Sequence, residues 1–384
     1  MRFILQILSL YLFIHALPSQ AEISLMQQDD ILKTGDHFQL TTSGSLRLQA
    51  LNFEHYNAAN ATQKYQRNGY SAASRIYLDA HYQATPNIGV LAEYETYINP
   101  AKILDWQGHY STQDHSLDTV QAYFGVAHKD YGTLKYGKLS SIYYDVVGSK
   151  TDLWDYAPLA QPATWSSHSY YDGSAVSRKT LRYEKEIAPL TVYAAYLFKD
   201  QTNTNQEIEY KRDYGLALAT DLKITPTLSW AVAWQHNKAE LYAHPTAQHV
   251  QYHQNIIGSS IFYLKDPWML GLGVGWYHNV HPSNRLDQQQ HFDPAEFLNT
   301  QSYGLEYYLG YKIPIQQAGI QFIRPYIMGD RFAYRTGRQF YRQDYGLGLA
   351  IRFKYGFGFD IEHFKTKDSF NTPDMNLFRL RYEF

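Results

Sequence analysis

Alternation of apolar and polar residues is the feature of this sequence that most constrains its fold. The segment MLGLGVGWY sets Leu270, Leu272, Val274 and Trp276 against three glycines, and DYGLGLAIRFKY repeats the pattern further along. A period of two residues indicates strands with one apolar face, because successive side chains point to opposite faces of a sheet. The pattern predicts sixteen strands, the first at about 44–54.

The connections between these strands alternate between short and long. Short ones, such as ATPN, EIAP and KDPW, contain the Pro or Gly residues that are typical of tight turns. The longest connection, 139–176, joins the fifth and sixth predicted strands. Strict alternation places all short turns at one end of an up-and-down sheet. This layout is typical of an outer-membrane barrel with short periplasmic turns and long external loops.

The two faces of the strands distinguish a membrane barrel from the soluble alternatives. A β-sandwich or propeller needs one face of each strand to fill a dry core. Here the polar face carries Arg, Lys, Asp, Glu, Gly and Tyr in strand after strand, which fits lipid outside and water inside. A mean hydropathy of −0.46 excludes a bundle of apolar transmembrane helices. We therefore predict an all-β fold, a transmembrane antiparallel up-and-down β-barrel.

The N-terminal residues 1–21 read as a secretory signal peptide. Arg2 precedes an apolar run, and Ser19 and Ala21 form a small-x-small cleavage site. A buried N-terminal helix is the alternative interpretation. Residues 22–384 would then form one barrel domain. The chain has no Cys, so disulfides do not hold the fold together. A net charge of −2 gives no sign of a nucleic-acid partner, and we expect none.

Three segments resemble the general porin family of Gram-negative bacteria. They are VQAYFGVAHKDYGTLKYGKLSSIYYDVVGSKTDLWD at 120–155, SRIYLDAHYQATPNIGVLAEYET at 74–96 and SRKTLRYE at 177–184. The resemblance implies a sixteen-stranded, water-filled barrel in the outer membrane, usually a homotrimer, which passes ions and small hydrophilic solutes passively. It also implies a long third loop folded into the lumen. The implied partners are outer-membrane lipid and the outer-membrane assembly machinery, and no cofactor is implied.

The resemblance further implies a constriction in which loop acids face wall bases. The candidate acids on the 139–176 loop are Asp145, Asp152, Asp155 and Asp172. The first two match the YD and TD positions of the family. The segment DYAPLAQP stands where the family often has an acidic PEFGG segment, so the sequence of this loop departs from the family pattern. Each Asp could instead be a turn former or a helix cap.

The candidate wall bases follow from strand parity and are Arg47, Arg75, Arg178 and Arg182. An Arg on the lipid face would cost ~2–4 kcal/mol at mid-bilayer, which favours an inward orientation. Each could also simply pair with a carboxylate of the wall. The fourth strand lacks a further Arg that the family tends to carry. The basic wall could therefore be completed by Arg324, Arg352, Arg379 or Arg381.

The segment MNLFRLRYEF predicts the closing strand of the barrel, with Phe378, Leu380, Tyr382 and Phe384 facing lipid. Phe384 would lie near the periplasmic aromatic girdle. The family resemblance implies that a terminal Phe in such a strand is the signal read by the assembly machinery.

Signals for enzymatic or metal chemistry are weak in this sequence. No G-x-S-x-G nucleophile elbow occurs. The histidines His109, His115, His128 and His168 lie in or near loops without metal-ligand spacing. We therefore expect neither an enzyme nor a metal site. Two alternatives to a general porin stay open: a substrate-specific outer-membrane channel, and an adhesin or receptor that uses the Tyr- and His-rich loops.

Overall fold

A computed structural model describes most of the chain. The described residues are 23–28, 37–53, 74–107, 115–153, 171–202, 208–243, 248–280, 299–336, 341–369 and 374–384. The predicted signal peptide, 1–21, and the candidate acid Asp155 lie outside these ranges.

Nineteen strands lie within the described residues and belong to one sheet. They are β1 Ile23–Gln28, β2 His37–Phe53, β3 Arg75–Thr85, β4 Ile88–Ile98, β5 Leu117–His128, β6 Gly132–Ser140, β7 Val176–Ile187, β8 Leu190–Leu197, β9 Asp200–Gln201, β10 Ile208–Thr225, β11 Leu228–Ala243, β12 Gln248–Lys265, β13 Trp268–His278, β14 Gln301–Tyr311, β15 Ile313–Gln317, β16 Ile320–Tyr334, β17 Tyr341–Phe353, β18 Phe357–Asp368 and β19 Met375–Glu383. Two short α-helices, α1 Pro100–Ile103 and α2 Ile142–Val146, lie in connections. No helix in the described part of the chain is long and apolar enough to span a membrane.

Sixteen of these strands close into a barrel. All strands except β1, β9 and β15 form the wall, and each pairs antiparallel with the next wall strand along the chain. The seam is the pairing of β19 with β2, which runs from Met375 opposite Phe53 to Glu383 opposite Ser45. The short strands β9 and β15 pair with β10 and β16, and β1 pairs with β2. The predicted sixteen-stranded antiparallel barrel is confirmed.

The two faces of the wall differ as the alternation predicts. On β19, Phe378 and Leu380 are exposed, whereas Leu377 and Arg379 are buried. The outer face is aliphatic or aromatic, and it includes Leu347, which is 62% exposed. Buried charged residues such as Glu306, Asp330, Asp344 and Asp360 lie on the opposite side of the same strands. We call these sides the outer face and the inner face.

The short turns all lie at one end of the barrel, together with Phe384. This end carries outer-face aromatics, including the pair of Trp268 and Tyr311, whose ring centroids are 4.7 Å apart. Phe357 and Tyr382 form a second pair at 4.9 Å beside the last short turn. Such aromatic belts mark the membrane–water interface. We call this the turn end, and the opposite end, with the long connections, the loop end.

The strands differ greatly in length. Strand β8 has 8 residues, whereas β10 and β12 have 18 each. A strand tilted at about 45° needs only about 9–11 residues to cross the bilayer. The long strands therefore continue beyond the apolar band at the loop end. The first wall strand also begins at His37, earlier than the predicted residue 44, because HFQLTT carries no clear alternation.

Candidate functional site

The loop that follows β6 turns back onto the inner face of the wall. Ser141 caps α2, since its Oγ accepts a hydrogen bond from the backbone N–H of Tyr144 at 2.9 Å. The helix buries Ile142, Tyr143 and Val146. These side chains pack in one apolar cluster with alanines of β10 and β11, namely Ala217, Ala219, Ala231 and Ala233. The small wall residues leave room for the helix against the sheet.

The same loop reaches strands further round the barrel. The Nζ of Lys150 donates to Asp221 at 2.9 Å and to the hydroxyl of Ser229 at 2.8 Å. The hydroxyl of Thr151 donates to Glu306 on β14 at 2.7 Å. All three wall partners are inner-face residues by strand register. Residues 141–153 therefore lie against the inner face from β10 to β14.

Glycines on the inner face make this contact possible. A β-carbon at Gly258 would lie 2.5 Å from the Tyr143 hydroxyl, and one at Gly273 would lie 2.9 Å from the Thr151 methyl group. A β-carbon at Gly271 would overlap the backbone oxygen of Lys150. Two of the three glycines of MLGLGVGWY, Gly271 and Gly273, thus form part of the surface that the loop contacts. Sequence reasoning used them only as a strand signal.

Two of the predicted loop acids contact charged or phenolic partners. Asp145 forms an ion pair with Arg182 on β7. The Asp152 carboxylate accepts a hydrogen bond from the Tyr144 hydroxyl at 2.7 Å. Burial, followed by the Asp152 charge, raises the pKa of Tyr144 well above its usual value, so the phenol stays protonated and donates. Asp152 also interacts electrostatically with Tyr97 of the wall.

Asp172 does not line the lumen. It is 1% exposed, its carboxylate accepts from the backbone N–H of Ser174 at 2.8 Å and from the Gln254 amide at 3.1 Å, and its backbone oxygen accepts from Asn237 at 2.6 Å. These hydrogen bonds satisfy polar groups that would otherwise be buried without a partner where the loop ends. The prediction that Asp172 is a constriction acid is therefore wrong, and the residue instead fixes the loop's return to β7.

Five arginines gather on the inner face around the seam. On one side of β2, Arg381 lies directly opposite Arg47. On the other side, Arg75 of β3 lies opposite Ser45, two residues along β2 from Arg47. Arg379 pairs with Gln49 on the inner face. Arg352 joins the group through Asp360, which it contacts at 2.7 Å. We call Arg47, Arg75, Arg352, Arg379 and Arg381 the arginine arc.

Three carboxylates partly neutralise the arginine arc. Asp360 also contacts Arg381 at 2.7 Å, Glu95 contacts Arg75 at 3.2 Å, and Glu383 contacts both Arg47 and Arg381. The five arginines and these three carboxylates together carry a net charge of +2, and the buried Glu362 adds a further negative charge beside Arg379. The Arg75 side chain is 25% exposed and that of Arg352 is 22% exposed, against 3% for Glu95 and 0% for Asp360. For these two pairs, the water-facing groups are guanidinium groups.

The other two predicted bases lie apart from the arc. Arg182 belongs to the Asp145 pair and also contacts Glu184 at 3.2 Å. Arg178 lies at the loop end and contacts Asp200, which also binds Lys179. The positive φ of Lys179 marks an irregularity in β7 that shifts the register beyond it. Strand parity alone could not reveal this shift.

No curated protein sequence matches the chain. The fold is similar to Salmonella typhi OmpF in complex with daunomycin (TM-score 0.64, 14% identity, 94% of this chain and 100% of that chain). It is also similar to an anion-selective porin from Comamonas acidovorans (TM-score 0.61, 11% identity, 90% and 100%). A trimer form of OmpT, an outer membrane protein of Vibrio cholerae, is also similar, with a TM-score of 0.59 and 11% identity. The match covers 90% of this chain and 99% of that chain.

A closed sixteen-stranded barrel with an apolar outer face and a charged inner face is a channel of the outer membrane. The Gram-negative porin family model matches residues 9–289, and the chain belongs to the Gram-negative porin family. The resemblance noted from the sequence is confirmed. The protein is an outer-membrane porin, and both its family and its fold are those of a channel rather than an enzyme.

Proposed function

We propose that the porin lets ions and small hydrophilic solutes diffuse passively through a lumen narrowed by the loop between β6 and β7. The observation that carries this proposal is the contact of residues 141–153 with the inner face from β10 to β14. Asp152 lies near Tyr97, and Tyr97 packs under the Arg75 guanidinium at 5.2 Å. Loop acids and the arginine arc would then produce a transverse field that orients dipolar solutes. The proposed pore-lining acids are Asp145, Asp152 and Asp155.

Conductance across a planar bilayer tests this function. The purified, folded protein should form stable single channels with a conductance proportional to bulk salt concentration, as expected for a wide aqueous pore. Absence of conducting channels would contradict the proposal. A substrate-specific channel would instead show block of the current by one solute at low concentration. An adhesin or receptor would lose cell or phage binding on loop deletion while its conductance stayed unchanged.

Substitution at Gly271 tests the position of the loop. In Gly271→Val the added carbons meet the backbone of Lys150, which cannot move like a flexible side chain. The loop remains tied through Lys150 and Thr151, so we expect it to be pushed towards the lumen and the single-channel conductance to fall. Leu272→Val, on the outer face of the same strand, is the matched control and should leave the conductance unchanged. Equal conductance of the two variants would argue against loop contact at this site.

We further propose the assembly of three copies, the insertion of the outer face into outer-membrane lipid, and export through a signal peptide at 1–21 that leaves 22–384 as the barrel domain. The similarity to a protein with a trimer form and the apolar outer face support these steps. We infer that the protein catalyses no reaction. Within the described residues, no group of three or more His, Asp or Glu side chains is arranged to hold a metal ion.

A further inference from the structure

Two histidines meet on the outer face about halfway along the long hairpin formed by β11 and β12, on the loop-end side of Trp234. His236 and His253 stack with a ring-centroid distance of 5.3 Å and an interplanar angle of 23°. The Nδ1 of His253 lies 3.3 Å from the Nε2 of His236. The outer-face position follows from the alternation of His236 with the buried inner-face residues Gln235 and Asn237. The pair is therefore outside the lumen and plays no part in the proposed conduction path.

Asn255 fixes which nitrogen of His236 is free. Its side-chain oxygen lies 2.9 Å from the Nδ1 of His236, directly across the β11–β12 ladder. An amide oxygen can only accept, so Nδ1 carries the proton and the lone pair of His236 is on Nε2. That lone pair points to His253. A partner on the second ring nitrogen is the usual support of a metal-binding histidine.

The separation of the two nitrogens matches a metal chelate. In a tetrahedral zinc site with Zn–N bonds of about 2.0–2.1 Å, two ligand nitrogens lie about 3.3 Å apart. The observed Nδ1–Nε2 distance is 3.3 Å. A metal ion would replace the proton that the two rings now share, and His253 would carry its one proton on Nε2 instead. No net proton release is needed for this exchange.

The surroundings also suit a bound cation. Trp234 stacks on His236 at 18°, which holds the ring in place. Lys238, directly opposite His253, is paired with Asp213 at 3.6 Å, so this ion pair adds no net charge beside the imidazoles. The strand continues outward from Trp234, an interface-type residue, so the pair lies at the water side of the apolar band.

We propose that His236 and His253 form a binding site for a late first-row divalent cation of the Zn²⁺, Ni²⁺ or Cu²⁺ class, with Asn255 as the positioning residue. Imidazole nitrogen is the ligand type that suits these ions. Water completes the coordination shell. The bound ion would join β11 to β12 where the hairpin extends beyond the membrane.

Calorimetric titration of the folded full chain in detergent micelles with Zn²⁺ at pH 8 tests the site. Wild type should show a saturable event of one ion per chain that is lost in His236→Ala/His253→Ala. Asn255→Ala should bind about 10–100-fold more weakly. His363→Ala is the matched control, because His363 is a histidine of β18 that contacts the Asn376 oxygen at 2.9 Å in the same way as His236 contacts Asn255. Its binding should equal that of wild type.

A second measurement needs no variant. Zn²⁺ should protect His236 and His253 of the wild type from carbethoxylation, as mapped by peptide mass spectrometry, and should leave His363 equally reactive. Equal zinc binding by wild type and the double variant would overturn the proposal. So would equal modification of all three histidines with and without zinc.

Discussion

Replacing Arg47, Arg75 and Arg381 by Gln will shift the reversal potential in a salt gradient towards cation preference. The change removes three positive charges from the arginine arc and leaves its carboxylate partners in place. Charges that line a water-filled constriction attract counter-ions and repel ions of like sign, so loss of guanidinium groups favours cations. The effect should be largest at low salt, where charges are screened least.

Arg178→Gln is the matched control for this experiment. Arg178 is an inner-wall candidate from the sequence, but it contacts Asp200 at the loop end and lies apart from the arc. It should leave the reversal potential unchanged. The single variant Arg75→Gln checks for misfolding, because Glu95 keeps its hydrogen bond of 2.7 Å from Gln121. Identical reversal potentials for wild type and a folded triple variant would show that the arc does not set selectivity.

Deletion of Phe384 will reduce the amount of folded barrel in the membrane without changing the conductance of the channels that do form. Phe384 exchanges two backbone hydrogen bonds with Gly44, at 2.8 and 3.0 Å, where the seam ends. Together these bonds contribute about 1–3 kcal/mol. The ring also stacks on Tyr382 at 5.9 Å and lies above Gly44. The deletion thus opens the seam at the turn end and removes the residue that the family resemblance implies as the assembly signal.

The variant Phe378→Ala distinguishes the effect of deleting Phe384 from the effect of removing another aromatic side chain of β19. Phe378 lies on the outer face of the same strand and is 43% exposed. Heat-modifiable migration on gels and the level of protein in outer-membrane fractions measure folding, and single-channel recordings measure function. We expect the control to fold nearly as well as wild type. If both variants assemble equally well, Phe384 has no special role in assembly.

The alternation that predicted the barrel depends on lipid outside and water inside. The alternation therefore predicted the parts of the wall strands that lie within the membrane. It did not predict the parts beyond the membrane, where both faces of a strand contact water. At the loop end of β10 to β12 the outer face carries Lys211, Lys238 and His253, so the apolar signal is lost although the strand continues. The predicted segments 211–222, 227–237 and 251–264 are consequently shorter than the observed strands.

The site could be predicted only in part, because its members come from distant parts of the chain. Parity and family resemblance located Arg47 and Arg75, and Arg379 and Arg381 were foreseen as possible replacements. The seam register then brings all four together. The prediction for Asp172 was wrong because the burial of this residue depends on hydrogen bonds from β11 and β12. No local pattern in the sequence records such contacts across the barrel.

The short strand β9 continues the wall of β8 towards the loop end, because Asp200 and Gln201 pair with Arg212 and Lys211 of β10. Strand β10 extends beyond this pairing only by residues 208–210, which is about 10 Å of strand at a rise of about 3.3 Å per residue. The rim of the described wall is therefore nearly level from β8 to β10, although β8 alone has only 8 residues. A solute that approaches along the membrane surface meets no gap in the described wall beside β8.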